Sequence, residues 1–349
     1  GLGIDLCGRA GSWIATGSLD LTVEAWRSSD RLHAAEDPVE AIRVEAGLGL
    51  GLAASLLGGA LILESSIGGT MVHDSMPGGE RSGTSVYLSP RAGIRVEPLA
   101  WLAITGSLSY AHRPPNFLEL FGDGGTFRGS GGLLPEQGFS ADAGIALSLP
   151  HGLAGDLEVA ARATGFASRM VNLVAFMQNS QRTMIAENVS EAGISGVEAV
   201  LRAAWIGWAS IEIGYTFLHA VDRSGVEPYD GEMLPNRPRH DLFMEAAIGH
   251  FGVGIAYSLD WIDGGFVDRA RLDPISGRTI HSLRLSWAPG FAPGFTMELA
   301  WTNIGNDLLD ITRITSSTGS SVWRRKAVSD VDGYPLPGTG LFLTLSLRR

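Results

Sequence analysis

Cysteine and lysine are both scarce in this 349-residue chain. Cys7 is the only cysteine, so neither an internal disulfide nor a cysteine-based metal site can form. Lys326 is the only lysine, which rules out a GxxxxGK[ST] phosphate loop. Charged residues make up 18% of the chain and the net charge is −11, the wrong sign for a nucleic-acid-binding surface, so no nucleic acid partner is expected. Prolines number 16 and follow no collagen-like period, so the 47 glycines, near double the usual ~7% share, belong to ordered structure. A hydrophobic share of 45% excludes bulk disorder. The chain opens at Gly1, and no charged segment followed by an apolar core comes after it, so no signal peptide is read. The expectation is a processed or excised piece of a longer protein.

A sustained helical period of 3.6 is also missing. The one long uncharged run, Ala46–Leu63, reaches the ~18 residues that a membrane helix needs. Within it Leu48, Leu50 and Leu52 alternate with Gly47, Gly49 and Gly51. A period of two suits a strand, and glycine weakens a helix. The run is therefore read as a hairpin turning at the small residues Ala53–Ser55, with a membrane helix as the alternative.

Period-two alternation recurs from end to end. Leu19, Leu21, Val23 and Ala25 interleave with Asp20, Thr22 and Glu24; Val86, Leu88, Ala92, Ile94 and Val96 with Ser89, Arg91, Arg95 and Glu97. Phe139 to Leu147, Ile211 to Phe217 and Phe295 to Trp301 repeat the pattern. Successive side chains on a strand point to opposite faces, so each segment has one apolar and one polar face. The fold class is all-β, an antiparallel up-and-down transmembrane barrel of about 14 strands. Short turns are expected near 53–56, 97–100, 150–153, 205–208, 250–251 and 289–294. Long connections are expected near 28–39, 68–83, 113–135, 174–184, 220–236, 263–278 and 306–332.

Alternation alone does not say which face is outside, since a soluble sandwich or propeller also alternates. The aromatics favour a membrane. Trp101, Trp205, Trp208 and Trp287 lie beside short turns, whereas Trp26, Tyr110, Phe217, Trp261 and Trp301 lie near long connections. Two aromatic girdles bounding an apolar band match two lipid–water interfaces. The opposite face carries charges of both signs, among them Asp20, Glu24, Arg91, Arg95, Asp142, Glu198, Arg202, Glu212, Arg284 and Glu298, as suits a hydrated or plugged lumen.

Five segments then carry a family resemblance. Arg113-Pro114-Pro115-Asn116-Phe117-Leu118-Glu119-Leu120-Phe121, with Leu134-Pro135-Glu136 after it, resembles the R-x-P-x-x-x-E-L-[FY] and L-x-P-E segments of TonB-dependent outer-membrane receptors. Asn188 with Gly196-Val197-Glu198 is similar to that family's N…GxE strand, and Leu234 to His240 to its L-P-x-R-P-x-H loop exit. Asn303-Ile304-Gly305-Asn306 resembles the break before the last strand, and Tyr334 to Gly338 the closing segment. The resemblance covers residues 101–347. It implies a parent barrel of about 22 strands around an N-terminal plug. Residues 1–349 would then be the C-terminal part of that barrel, with the plug, the TonB box and about eight strands outside it. The end, Leu347-Arg348-Arg349, departs from the terminal aromatic such barrels often carry.

The resemblance implies an outer-membrane receptor for energy-coupled uptake of a scarce small-molecule ligand, such as an iron–siderophore complex, another metal chelate or cobalamin, with sugars and peptides also open. Outer-membrane lipid is the expected surrounding partner, and the TonB system would act only through the plug segment. The connection at 113–135 is the expected ligand contact, through Arg113, Asn116, Phe117, Glu119, Phe121 and Arg128. Arg237 and Arg239 are expected to pair with acidic neighbours. A stand-alone 14-stranded passive channel is the alternative, and a soluble β binding module a third reading. No enzyme activity, cofactor or resident metal is expected. The eight histidines show no HExxH spacing, Gly193-Ile194-Ser195-Gly196 lacks the GxSxG register, and Gly47–Gly51 precedes no helix. Asp330-Val331-Asp332-Gly333 is read as turn chemistry rather than a calcium loop. His112 with a rim serine is the one hydrolytic alternative.

Overall fold

The computed structural model describes residues 1–28, 39–76, 82–123, 127–150, 155–178, 183–205, 207–272, 274–315, 321–327 and 336–348. Strand β1 (Leu2–Ala10) turns into β2 (Trp13–Ser28), followed by β3 (Val39–Leu56), β4 (Leu61–Ser75), β5 (Gly83–Leu99) and β6 (Leu102–Arg113). A short helix, α1 (Phe117–Phe121), and the two-residue strand β7 (Phe127–Arg128) come next. Long strands resume with β8 (Glu136–Leu149), β9 (Leu157–Gln178), β10 (Met184–Trp205), β11 (Ala209–Asp222), β12 (His240–His250) and β13 (Val253–Ile262). The chain ends through β14 (Gly265–Phe266), β15 (Pro274–Ile275), β16 (Arg278–Trp287), β17 (Phe295–Thr302), β18 (Leu309–Thr315), β19 (Ser321–Ala327) and β20 (Gly340–Leu347).

The main sheet runs β1-β2-β3-β4-β5-β6-β8-β9-β10-β11-β12-β13-β16-β17-β20, and β7 joins it against β10. β14–β15 and β18–β19 form separate two-stranded ribbons. Every large step is a hairpin between sequence neighbours, which is the up-and-down order expected. The path holds 15 strands where the alternation predicts about 14. The extra one is β1, which pairs with β2 from Leu2↔Leu21 to Ala10↔Trp13 through a turn at Gly11, φ +60°. A two-residue turn of this kind leaves little sequence signal beyond one glycine.

The uncharged run is a hairpin, but it turns later than its small residues suggest. β3 continues to Leu56, and the chain reverses at Leu57, Gly58 and Gly59, with φ of 52°, 69° and 102°. The two glycines adopt left-handed backbone without a Cβ penalty, whereas Ala53–Ser55 keep their ladder bonds to β4. Among the described residues no helix is long and apolar enough to cross a membrane; β-strands that cross one are a separate matter.

The chain divides into two compact units. One comprises residues 1–143, 166–194 and 222–226. Across its strands Ile4, Leu19, Leu48, Gly69 and Leu88 align on one face through successive register pairs. Asp20, Gly47, Thr70 and Tyr87 align on the other. Leu19, Leu48 and Leu88 are 54–56% exposed, so the apolar face is not covered by protein as it would be in a soluble sandwich. Trp26 departs from the expected girdle. It shares parity with Asp20 and Glu24 and pairs with Ala41 on the polar face, where it packs beneath the loop after β6.

The second unit comprises residues 144–165, 195–221 and 227–349. Ile248, Ile255, Leu285, Leu299 and Leu343 form one row, with Leu343 61% exposed. The opposite row places Arg284 next to Glu298, 3.7 Å apart, and Arg202 against Glu212 at 2.8 Å. On the apolar face a charge meets hydrocarbon, and on the polar face it meets water and counter-charges. Leu285→Arg is therefore expected to cost about 2–4 kcal/mol and Ser282→Arg, on the polar face, under about 1 kcal/mol. Urea titration of folding into lipid vesicles measures both, and equal costs would contradict the assignment of faces.

Candidate functional site

β6 ends because Pro114 and Pro115 offer no N–H to a neighbouring strand. The chain then forms α1, whose first turn is closed by a capping box. Asn116 Oδ1 accepts from the Glu119 backbone N–H at 2.8 Å, and Glu119 Oε2 accepts from the Asn116 N–H at 2.8 Å. Glu119 also takes both terminal nitrogens of Arg113, each at 2.9 Å. Arg113 Nε donates to Glu136 Oε2 at 2.6 Å, and the other oxygen of Glu136 accepts from the Val174 N–H at 2.7 Å. One guanidinium thus ties the strand end, the helix and the entry to β8. Its fork matches two carboxylates at once, which an ammonium could not do.

A second arginine holds the loop from below. Arg43 on β3 is only 3% exposed; its Nε and Nη2 engage Asp74 at 2.6 and 2.9 Å, and its Nη1 donates to the Pro115 carbonyl at 2.8 Å. Its guanidinium also lies 5.3 Å from the centre of the Phe117 ring. Phe117 and Leu120 are buried with Ala41, Leu133, Val174 and Ala186, and Phe121 stacks on Trp26 at 4.6 Å. The far end of the loop is clamped by Asn188. Its Oδ1 accepts from the Leu134 N–H at 2.7 Å, and its Nδ2 donates to the carbonyls of Leu134 and Asn172 at 3.1 and 2.7 Å. A side-chain amide here replaces a strand partner for Leu134. β7 adds a parallel step on β10, Phe127↔Met184 and Arg128↔Ile185.

The six residues expected at a ligand site are brought together, in two roles. Arg113 and Glu119 are engaged with each other, Phe117 is buried, and Phe121 is half-buried on Trp26. Asn116 and Arg128 are exposed. Sequence reasoning missed Arg43, Asp74 and Asn172, whose partners lie up to 72 positions away. Asn172 takes a positive φ of 56°, which asparagine tolerates better than most residues.

Other motif residues are placed as follows. Asn303 and Asn306 end β17 in left-handed backbone, φ 47° and 50°. Asn303 Oδ1 accepts from the Asp307 N–H at 2.9 Å, its Nδ2 donates to the Pro337 carbonyl at 3.1 Å, and Asn306 Oδ1 accepts from the Thr339 N–H at 3.0 Å. Tyr334, Pro335 and the turn at 330–333 lie outside the described residues. Arg239 does not meet the acid expected of it: its Nη2 points at the Met233 sulfur at 3.3 Å, and its buried Nε has no partner among the described residues. His112 sits with Nδ1 3.1 Å from the Leu88 carbonyl and its ring edge-on to Tyr110. Among the described residues no group of three or more His, Cys, Asp or Glu is placed to hold a metal ion.

Removing the Glu136 carboxylate would strand the buried Val174 N–H and one side of Arg113. Glu136→Ala is expected to lower the opening free energy of this loop by about 1–3 kcal/mol. Hydrogen exchange at the Val174 and Leu120 amides measures it, with Arg128→Ala as the control that leaves both protected.

Comparison with known proteins follows this geometry. The family described as TonB dependent receptor-like, beta-barrel matches residues 67–304. Transferrin-binding protein A of Neisseria meningitidis serogroup B is 29% identical over 160 residues, covering 43% of this chain and 17% of that protein. Among solved structures the copper transporter OprC superposes with a TM-score of 0.73 at 13% identity, over 99% of this chain and 55% of OprC. The FrpB iron transporter of Neisseria meningitidis gives 0.68 at 14% identity, over 99% of this chain and 55% of FrpB. The ferric citrate transporter FecA gives 0.67 at 12%, over 99% and 54%. The chain thus spans about half the length of the solved structures it resembles. With more than half of its residues matched, this chain belongs to the TonB-dependent receptor-like β-barrel family and is a protein of the outer membrane.

Proposed function

We propose that residues 1–349 are the C-terminal part of the barrel of an energy-coupled receptor that imports a scarce ligand, an iron–siderophore complex, cobalamin or a similar chelate. The observation that carries this reading is the family match over 67–304 together with the anchored loop between β6 and β8. Structural neighbours are named for copper, iron and ferric citrate, which supports a metal chelate as cargo. In this reading the cluster around Arg113 fixes the loop base, and the exposed Asn116 and Arg128 face the ligand. Tight binding and release conflict unless another state of the receptor binds more weakly. Force from the inner membrane, delivered to a plug through TonB, would supply that state.

Strand parity supports a longer barrel over a stand-alone channel. Among the described residues the path from β1 to β20 is a meander of 15 strands taken in sequence order. First and last strands of an odd meander run the same way, so joining them would need a parallel seam. Bacterial single-chain barrels have even strand numbers. An odd number of further strands resolves the parity, and about seven would bring the total to the ~22 of plugged transporters.

Uptake of radiolabelled ferric chelates by cells carrying the complete gene, with and without TonB, tests the proposal. Accumulation lost on removal of TonB is expected. Steady single-channel conductance from the purified protein in a bilayer, with uptake indifferent to TonB, would overturn it in favour of a passive channel.

A further inference from the structure

On the apolar face of the second unit, two histidines are each tied to a tyrosine one strand away. Tyr215 Oη lies 2.8 Å from His240 Nδ1, and Tyr257 Oη lies 2.6 Å from His281 Nδ1. Register settles the face. His240 stands opposite Phe217, and Tyr215 stands opposite Leu242, whose partner on β13 is Trp261. His281 stands opposite Leu259, and Tyr257 opposite Leu283, whose partner on β17 is Trp301. His240 is the first residue of β12, at the end away from the tight turn between β12 and β13, and Trp261 stacks on it at 6.0 Å. Asp241, Glu245, Asp260, Arg278, Arg284 and Glu298 all belong to the opposite row. The rows of β11, β12, β13, β16 and β17 that carry the two pairs contain no Asp, Glu, Lys or Arg.

Each pair satisfies only part of its own hydrogen-bonding capacity. If the tyrosine donates to Nδ1, the imidazole keeps an Nε2–H donor; if Nδ1–H donates to the tyrosine, the hydroxyl keeps its O–H. A protonated imidazole keeps both. In every state at least one donor is left over on a surface made of apolar and aromatic side chains with Thr279, His219 and His250. Such a donor is costly in hydrocarbon and useful where an anionic oxygen is within reach. Aromatic side chains with one polar end gather at the lipid–water boundary, where headgroup oxygens lie.

We propose that the Tyr215–His240 pair and the Tyr257–His281 pair each bind a lipid-headgroup phosphate at the rim of the sheet away from the tight turns. The histidines make the contact, and the tyrosines are positioning residues that fix each ring. The inference rests on this sheet spanning a lipid bilayer. Phosphate is the fitting group because it offers several anionic oxygens to the fixed donor of each pair. Neutral sugar and glycerol hydroxyls also accept, but without charge, and so compete poorly.

The test uses the complete protein extracted from the outer membrane into mild detergent, with lipid A or dephosphorylated lipid A added. Native mass spectrometry counts the lipid retained. The wild type is expected to prefer the phosphorylated form by at least about tenfold, as loss of a hydrogen bond to a charged group implies. Joint substitution His240→Phe and His281→Phe, which keeps both rings, is expected to remove the preference. The joint change to Arg is expected to keep it, and Tyr215→Phe with Tyr257→Phe to reduce it. Resistance of each unheated variant to dodecyl sulfate shows that the strands remain folded. A folded wild type with no preference, or a phenylalanine variant that keeps it, would overturn the proposal alone. Absence of the protein from the outer-membrane fraction would instead remove the membrane reading beneath it.

Discussion

Every backbone N–H and C=O of a strand in hydrocarbon has to be paired sideways, because lipid offers no partner. That requirement governs the rest of this protein. It explains strands as long as the 22 residues of β9 and β10, and an order that visits sequence neighbours one after another. It also explains why the prolines at 114 and 115 stand where a strand ends rather than inside one. With the backbone committed to neighbours on both sides, side chains are left with two faces and no third environment. Alternation follows directly, and so does the row Ile255, Leu285, Leu299, Leu343 on one side with Arg284 and Glu298 on the other.

Where the backbone leaves the sheet, the pairing problem returns, and side chains answer it. The loop after β6 needs partners at Pro115, Asn116 and Leu134, and β9 beside it needs one at Val174. Each is met by a polar side chain: Arg43 at the Pro115 carbonyl, Glu119 at the Asn116 N–H, Asn188 at both groups of Leu134 and Glu136 at the Val174 N–H. At the other end of the chain Asn303 and Asn306 do the same for the segment after β17. All of these side chains except Arg43 belong to segments that carry the family resemblance. Their spacing in sequence therefore reflects backbone carbonyls and amides needing partners at fixed places on the rim. Of the six residues expected at a ligand site, Asn116 and Arg128 are exposed, and Asn116 is one of those that pair the backbone, through its Oδ1 at the Glu119 N–H.

Alternation was legible because it is local: two residues suffice to show it, and tens of repeats make it secure. The face assignment was legible through the tryptophans, with one instructive failure. Trp26 lies near a long connection, as a girdle residue should, but its parity is that of Asp20 and Glu24. Position along a strand and position across it are independent, and only the second decides whether a ring meets lipid. The turn at 57–59 was misplaced for a related reason. Small residues such as Ala53–Ser55 permit a turn without requiring one, whereas consecutive glycines at positive φ mark where a turn is made.

Arg43 shows where sequence reading stops. Nothing in its neighbourhood distinguishes it from Arg91 or Arg95, which line the same polar face. What sets it apart is burial beneath a loop that arrives 72 residues later, together with an aspartate from the next strand. A buried guanidinium with both a carboxylate and a carbonyl satisfied is strongly harmed by loss of either partner, yet replacing the whole arrangement with apolar side chains could cost little. Its value is then geometric: five fixed donors orient a proline carbonyl and a carboxylate relative to one strand. The same argument applies to Arg113, which is more exposed but spans three elements. Two guanidiniums thus define the position of one loop against a sheet whose own geometry is already fixed by its ladder. A loop so defined presents its exposed residues at fixed places on the rim.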